Sequence, residues 1–368
     1  MIVGCVKEIK NREFRVGMTP DNARNFILHG HEVIAEKGLG VGAGFSDSLY
    51  EDSGVKLLET ADEVWANSDI IIKVKEPLQE EFKFLRENLI VYTYLHLAAS
   101  PELTEVMLKS KCKGVAYETL TDAKGNLPLL KPMSEIAGRI SIIEGAKCLE
   151  KVCGGKGILI SGLPGVRPAN VVVIGGGVAG SNAARMAHGL GAKVSILDIN
   201  LSQLTRLDEF FQGQVQTLYS TPTEIERQLR TADLVIGSVL IPGAKAPKLV
   251  KREHLKLMEP GTVMVDIAID QGGCFETSKP TYHDNPTFII DGVLHYCVAN
   301  IPGAVPYSST LALTNATLKY GLKIADSGLE QAAANSSEIL SAINTYNGLC
   351  TYKNVANAFE LPYHRLEF

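Results

Sequence analysis

The sequence predicts an α/β protein of two domains, each built on a mostly parallel sheet, with the first domain discontinuous. Three observations carry this. Short, nearly uninterrupted apolar runs alternate with helical stretches along most of the chain. A length of 368 residues suits about two domains of roughly 100–200 residues each. An amphipathic stretch near the end is too small to form a core alone and must pack back on something made earlier.

Residues 33–35, 70–74, 89–92 and 115–117 read as strands in the first third, and residues 171–174, 194–197, 234–236 and 263–265 in the middle. Runs apolar on both faces belong to parallel strands covered by helices on each side. Pro128 and Pro132 punctuate the chain between the two sets, which puts the first boundary near residues 128–135. From Ser308 onward, Leu311, Leu318, Leu322, Ala325 and Leu329 recur at spacings near 3.6, giving one face to bury. Pro302 and Pro306 set that helix apart. The expected division is therefore 1–128 with 306–368 as one domain and 129–305 inserted as the other. A cleft between two such domains is a preferred place for a small-molecule site.

Composition narrows the function class. With 36 Lys+Arg against 41 Asp+Glu the net charge is −5, which argues against a nucleic-acid partner. No apolar run approaches the roughly 18 residues of a membrane span, and the first residues lack the order of a signal peptide. Seven cysteines, odd in number and without a C-x-x-C pair, read as reduced thiols of a cytoplasmic protein. His29 and His31 share Leu-His-Gly-His with no third ligand in view, so no catalytic metal is expected.

Eleven of the 34 glycines fall between Gly154 and Gly191. Within them, Gly175-Gly176-Gly177-Val178-Ala179-Gly180 fits G-x-G-x-x-G between an apolar strand and a plausible helix, and Asp198 ends the next strand. Gly175 suits a tight turn, Gly177 a close approach to a pyrophosphate, and Gly180 close helix–strand packing. The helix start offers free N–H groups to phosphate. Asp198 would accept from the ribose hydroxyls and repel a 2′-phosphate, which favours NAD over NADP. Two Rossmann-like domains follow.

Ligands of open α/β sheets lie beyond the carboxyl ends of the strands, so polar residues there carry weight. Lys73 and Lys75 share one strand face; a lysine on a buried strand needs an anionic partner or a route to water. Lys75, nearer the end, suits a substrate carboxylate, or simply snorkels. His96 ends another apolar run and suits proton transfer near neutral pH, or is a buried, hydrogen-bonded histidine. Asp270 suits orienting water or steadying a developing cation, or caps the Gly272-Gly273 bend. Arg15 has the fork for a carboxylate, or is a surface charge.

Over essentially its whole length the chain resembles the bacterial L-alanine dehydrogenase family. The resemblance runs through Arg15-Val-Gly-Met-Thr-Pro, Lys73-Val-Lys-Glu-Pro, Thr93-Tyr-Leu-His-Leu-Ala-Ala and Pro128-Leu-Leu-Lys-Pro-Met-Ser-Glu. It continues through Asp266-Ile-Ala-Ile-Asp-Gln-Gly-Gly-Cys and His295-Tyr-Cys-Val-Ala-Asn-Ile-Pro-Gly-Ala-Val-Pro. It implies reversible NAD-dependent conversion of L-alanine to pyruvate and ammonium by a homohexamer, with no nucleic-acid or membrane partner. Arg15 and Lys75 fall on the family's substrate-binding positions, and His96 and Asp270 on its catalytic ones. Nucleotide contacts would come from Ser134, Val178, Ala179, Asp198, Ser220, Val239 and Leu240. Others would come from Ile267, Ala268, Ile269, Asp270, Val298, Ala299, Asn300 and Ile301. Two cofactor-side positions depart from the family: Gln203 replaces a frequent basic residue, and Lys279 a common arginine. The positions where some relatives hold magnesium carry Lys323 and Ser327 here, so no metal is implied. A transhydrogenase subunit shares the two-domain plan but lacks the segment carrying His96, and a 2-hydroxy acid dehydrogenase would not require ammonium.

Overall fold

All eight expected apolar runs become strands. A computed structural model of the chain describes residues 1–239 and 246–368. Contacts divide it into unit 1, Met1–Met133 with Val305–Phe368, and unit 2, Ser134–Ala304.

Unit 1 begins with β1 (Ile2–Cys5), α1 (Pro20–Leu28), β2 (Glu32–Glu36), α2 (Asp47–Asp52), β3 (Lys56–Leu58) and α3 (Ala61–Asn67). It continues through β4 (Ile70–Ile72), β5 (Ile90–Thr93), α4 (Pro101–Lys109) and β6 (Lys113–Ala116). Helix α5 (Lys131–Cys148) then leads into unit 2. There follow β7 (Asn170–Ile174), α6 (Val178–Gly189), β8 (Lys193–Asp198), α7 (Leu201–Phe211), β9 (Gln216–Tyr219) and α8 (Pro222–Leu229). Strands β10 (Leu234–Gly237), β11 (Val263–Asp266), β12 (Thr287–Ile290) and β13 (Val293–Tyr296) complete it. The chain returns to unit 1 with α9 (Pro306–Ser327), α10 (Leu329–Ala334), α11 (Ser337–Ala342), β14 (Ile343–Tyr346), β15 (Leu349–Cys350) and α12 (Lys353–Ala358).

The unit 1 sheet has the order β15-β14-β6-β5-β4-β1-β2-β3, parallel from β6 to β3. Strand β14 pairs antiparallel with β6. The unit 2 sheet has the order β12-β13-β11-β10-β7-β8-β9, parallel except for β12. In each the first strand lies in the interior and the order reverses beside it, between β1 and β4 and between β7 and β10. That reversal opens the crevice where such sheets take ligands. Both sheets bury their faces. In unit 1, Ile71, Val91 and Leu95 pack with Trp65 and Met107; in unit 2, Val172, Leu197, Val235 and Met264 pack with Phe275. Among the described residues no helix is long and apolar enough to cross a membrane.

Two local expectations change. The strand expected over 70–74 stops at Ile72, because the Glu8 carboxylate draws the Val74 and Lys75 N–H groups, at 2.6 and 3.2 Å. The buried face of α9 shares only Ala325 with the expected stripe, whose last member, Leu329, is buried on α10. Leu311, Leu318 and Leu322 are half-buried, whereas Ser309, Thr310, Leu313, Thr314, Thr317, Tyr320, Gly321, Ile324 and Ala325 are buried. Hydroxyls on this face bond close by: those of Thr314 and Thr317 donate to the Leu311 and Thr314 carbonyls of their own helix, at 3.4 and 3.3 Å. Thr310 Oγ1 accepts the Val16 N–H at 3.1 Å, and the Thr317 carbonyl accepts the Tyr92 hydroxyl at 3.1 Å.

Candidate active site

Strands β1, β4, β5 and β6 are neighbours, so the segments leaving their carboxyl ends lie side by side. Arg15 follows β1 and is buried, not a surface charge. Its fork meets Glu13, Nε to Oε1 at 2.7 Å and Nη2 to Oε2 at 2.6 Å, and Nη1 lies 3.1 Å from Met133 Sδ. Burial pushes the Glu13 carboxyl up, but the hydrogen bond and charge of Arg15, then the charge of Lys75, outweigh it and bring it to about 2. The pair is therefore ionised at any working pH.

Lys75 follows β4 and is half-buried. Its main chain is held at both ends, the N–H by Glu8 and the carbonyl by Thr93 Oγ1 at 3.0 Å. Lys73 has a different fate. It is fully buried between Glu8, at 3.2 Å, and Glu81, at 2.7 Å. Burial disfavours its charge, but the two carboxylates more than restore it and raise its pKa.

His96 follows β5 and is exposed, not sequestered. Its ring stacks on Tyr94 with centroids 5.8 Å apart and planes 9° from parallel, and the Tyr94 hydroxyl donates to the Leu129 carbonyl at 2.7 Å. Glu118, following β6, accepts the His96 N–H at 2.6 Å. Nearby Glu76 pairs with Lys10 at 2.5 Å. Burial opposes its charge, yet Lys10, then Lys75 and His96, hold its carboxyl below the usual range. The edge thus gathers Arg15, Lys73 and Lys75, an accessible imidazole and the buried carboxylates of Glu8, Glu13 and Glu81. Such an edge can fix a small carboxylate and move a proton beside it.

In unit 2, the glycine turn joins β7 to α6. Gly175 sits at φ 102, a conformation that favours glycine. A Cβ on Gly180 would lie 1.8 Å from the Gly175 carbonyl oxygen, whereas one on Gly177 would meet nothing within 4 Å. The turn is therefore tight on its inner side and open where a pyrophosphate would approach the first N–H groups of α6, those of Val178 and Ala179 included. Asp198 Oδ2 accepts the Gly176 N–H at 2.6 Å and Oδ1 the Asn200 N–H at 2.8 Å. The Gln203 side-chain amide donates to the Gly176 carbonyl, so this departure from the family braces the turn from the other side. Ser134 lies one helical turn before Gly138, where a Cβ would lie 2.1 Å from the Ala179 carbonyl oxygen. Helix α5 therefore lies against the start of α6, carrying Ser134 toward the same turn. These features fit the pyrophosphate and ribose of NAD.

The remaining cofactor-side residues follow other strands of this sheet. Ser220 follows β9, its N–H donating to the Asp198 carbonyl at 3.0 Å, and Val239 follows β10. Leu240 lies outside the described residues. Ile267, Ala268, Ile269 and Asp270 follow β11 in a loop closed by Asp266. The buried Asp266 carboxylate accepts the N–H groups of Ala268 (3.1 Å) and Phe275 (3.3 Å) and the Ser278 hydroxyl (2.5 Å); burial pushes its pKa up. Asp270 is exposed, and main-chain bonds close the bend at Gly272 and Gly273, so its carboxylate is not spent as a cap. Val298, Ala299, Asn300 and Ile301 follow β13; the Ala299 N–H donates to the Thr281 carbonyl at 3.0 Å, and Asn300 stands at φ 69. Lys279 lies over the Phe288 ring of β12, 4.5 Å from its centroid. That is the edge of the sheet away from Asp198.

Sequence reasoning missed Glu8, Glu118 and Asp266, lone acids with no local signal of their partners. Glu13 could have been found, two residues before the arginine it pairs.

The chain matches the family model "Alanine dehydrogenase/PNT, N-terminal domain" over residues 4–137 and its C-terminal counterpart over residues 141–353. It is 54% identical over 364 residues to an alanine dehydrogenase of Methanococcus maripaludis, spanning 99% of this chain and 98% of that one. An alanine dehydrogenase of Mycobacterium tuberculosis is 49% identical over 363 residues, with coverage of 99% and 98%. A solved L-alanine dehydrogenase matches with a TM-score of 0.94 at 45% identity, covering 98% of this chain and 99% of that chain. A transhydrogenase from Sinorhizobium meliloti reaches 0.81 at 23% identity, covering 96% and 99%, a likeness of fold. With both domain models matched and relatives about half identical from end to end, the chain belongs to the alanine dehydrogenase/PNT family.

Proposed function

We propose that this protein catalyses the reversible NAD-dependent oxidative deamination of L-alanine to pyruvate and ammonium. End-to-end identity of about half with alanine dehydrogenases carries the reading, and the cations gathered at the carboxyl edge of unit 1 support it. Unit 1 is read as the substrate domain and unit 2 as the nucleotide domain.

Arg15 and Lys75 bind the substrate carboxylate and orient the Cα–H bond. NAD, when bound, supplies the acceptor for the hydride leaving Cα. His96 takes a proton from the water that adds to the resulting iminium carbon and returns one to the departing ammonia. Asp270 orients that water and favours the positive charge of the iminium. Asp198 selects the free 2′-hydroxyl of NAD over a phosphate. In the reverse direction His96 assists collapse of the carbinolamine. We further read the protein as a cytoplasmic homohexamer, by resemblance and from seven unpaired cysteines; light scattering after size exclusion tests the hexamer.

The activity is tested by NADH formation from a panel of small L-amino acids, with pyruvate reduction run with and without ammonium. Alanine-dependent NADH formation and an absolute ammonium requirement are expected. Pyruvate reduction that proceeds without ammonium would instead mark a hydroxy acid dehydrogenase.

A further inference from the structure

The main chain at His96 lies in the left-handed region, φ 48 and ψ 35. A non-glycine residue stays there only when its surroundings hold it. Glu118 is the holder. Besides the His96 N–H, its two oxygens accept the Leu95 N–H, each at 3.2 Å. Hydrogen bonds from N–H to a carboxylate are roughly twice as strong as neutral ones. The Leu95 side chain is fully buried, so one flank of the turn is anchored in the core. The imidazole is then steadied by the Tyr94 ring, itself tied to Leu129. Among the described residues Glu118 forms no ion pair; its carboxylate is given to main-chain N–H groups.

We propose that Glu118 is a positioning residue for the reaction, setting the left-handed turn that aims His96 without itself touching substrate. The proposal rests on the reading of His96 as the proton carrier. The test is steady-state kinetics of Glu118→Ala, Glu118→Gln, His96→Ala and the Glu118→Ala/His96→Ala double variant, with unfolding midpoints measured for each. Glu118→Ala is expected to lower kcat about 10²-fold, the scale of a misplacement of about 1 Å, with KM for pyruvate unchanged because Arg15 and Lys75 are untouched. Glu118→Gln keeps an oxygen for the His96 N–H and should restore most of the turnover. In the His96→Ala background, Glu118→Ala should add no further loss. Normal turnover in folded Glu118→Ala, or losses that add in the double variant, would overturn the proposal. Normal turnover in His96→Ala would overturn the reading of His96 instead. If Glu118→Ala does not accumulate, Glu118→Asp decides: lowered kcat at unchanged KM supports the positioning role, and unchanged kcat defeats it.

Discussion

At the carboxyl edge of the unit 1 sheet, charge is taken out of water and paired: Arg15 with Glu13, Lys73 with Glu8 and Glu81. At the corresponding edge of unit 2, the glycine turn has hardly any charge beyond Asp198, and its polar groups are main-chain N–H and carbonyl. Both edges suit anions, but of different kinds. A small carboxylate offers few atoms, so each contact has to be strong and directed, and cations placed there need buried counter-charges. A pyrophosphate is large and diffuse, and a helix start satisfies it provided no Cβ intervenes. The first edge should therefore fail by loss of charge, the second by gain of volume.

The largest effect is expected at the charged edge. His96→Ala should lower kcat about 10²–10⁴-fold, the range of a lost general acid–base, in steady-state assays with both substrates saturating. Next comes Arg15→Ala. Its loss takes the two-point guanidinium contact from the buried Glu13 carboxylate, a break worth up to about 3–5 kcal/mol, more than the roughly 1.5–3 kcal/mol of a charged hydrogen bond to substrate. Both a raised KM for pyruvate and a lower midpoint in denaturant should be seen. Acid sensitivity sharpens this. The Glu13 carboxyl moves from an ordinary 4.5 to about 2 in the folded protein. A depressed value means the contribution is whole above about pH 4.5 and fades as the pH falls toward 2. Glu13→Gln should flatten the stability profile in that window.

At the glycine edge the effects are smaller and of another kind. Gly180→Ala places a Cβ 1.8 Å from the Gly175 carbonyl oxygen; overpacking of about 1–3 kcal/mol should raise the NAD dissociation constant about tenfold or more while pyruvate binding stays the same. Gln203→Ala removes one brace of the turn, about 0.5–1.5 kcal/mol for a hydrogen bond, and should raise that constant severalfold by titration calorimetry. A larger penalty for Gln203→Ala than for Arg15→Ala would break the contrast.

Most interior parallel strands were legible because strands covered on both faces are apolar without interruption, as in Ile70-Ile71-Ile72, although β1 and β13, interior and parallel too, were not read. The short strands β3, β9 and β15 carry no such signal, since an edge strand is only half enclosed. Helix α9 was legible as a helix but not in its facing, because buried threonines whose hydroxyls bond back to their own helix look polar to any apolar count. At the site, Lys75, His96 and Asp270 stood out because each closes an apolar run, and chain position alone marks a strand's end. Their partners did not. Glu8, Glu81 and Glu118 become partners of these segments only through the fold, and in the sequence each reads as one more solvated acid.

Unit 1 takes its antiparallel strand β14 and the covering helix α9 from the far end of the chain, while unit 2 is contiguous. On a ribosome adding about 5–20 residues per second, the first 133 residues wait tens of seconds for the pieces that finish their sheet. Unit 2 can close meanwhile. The half that carries Arg15, Lys75 and His96 is begun first and completed last, so it is the half that nascent-chain chaperones have longest to meet.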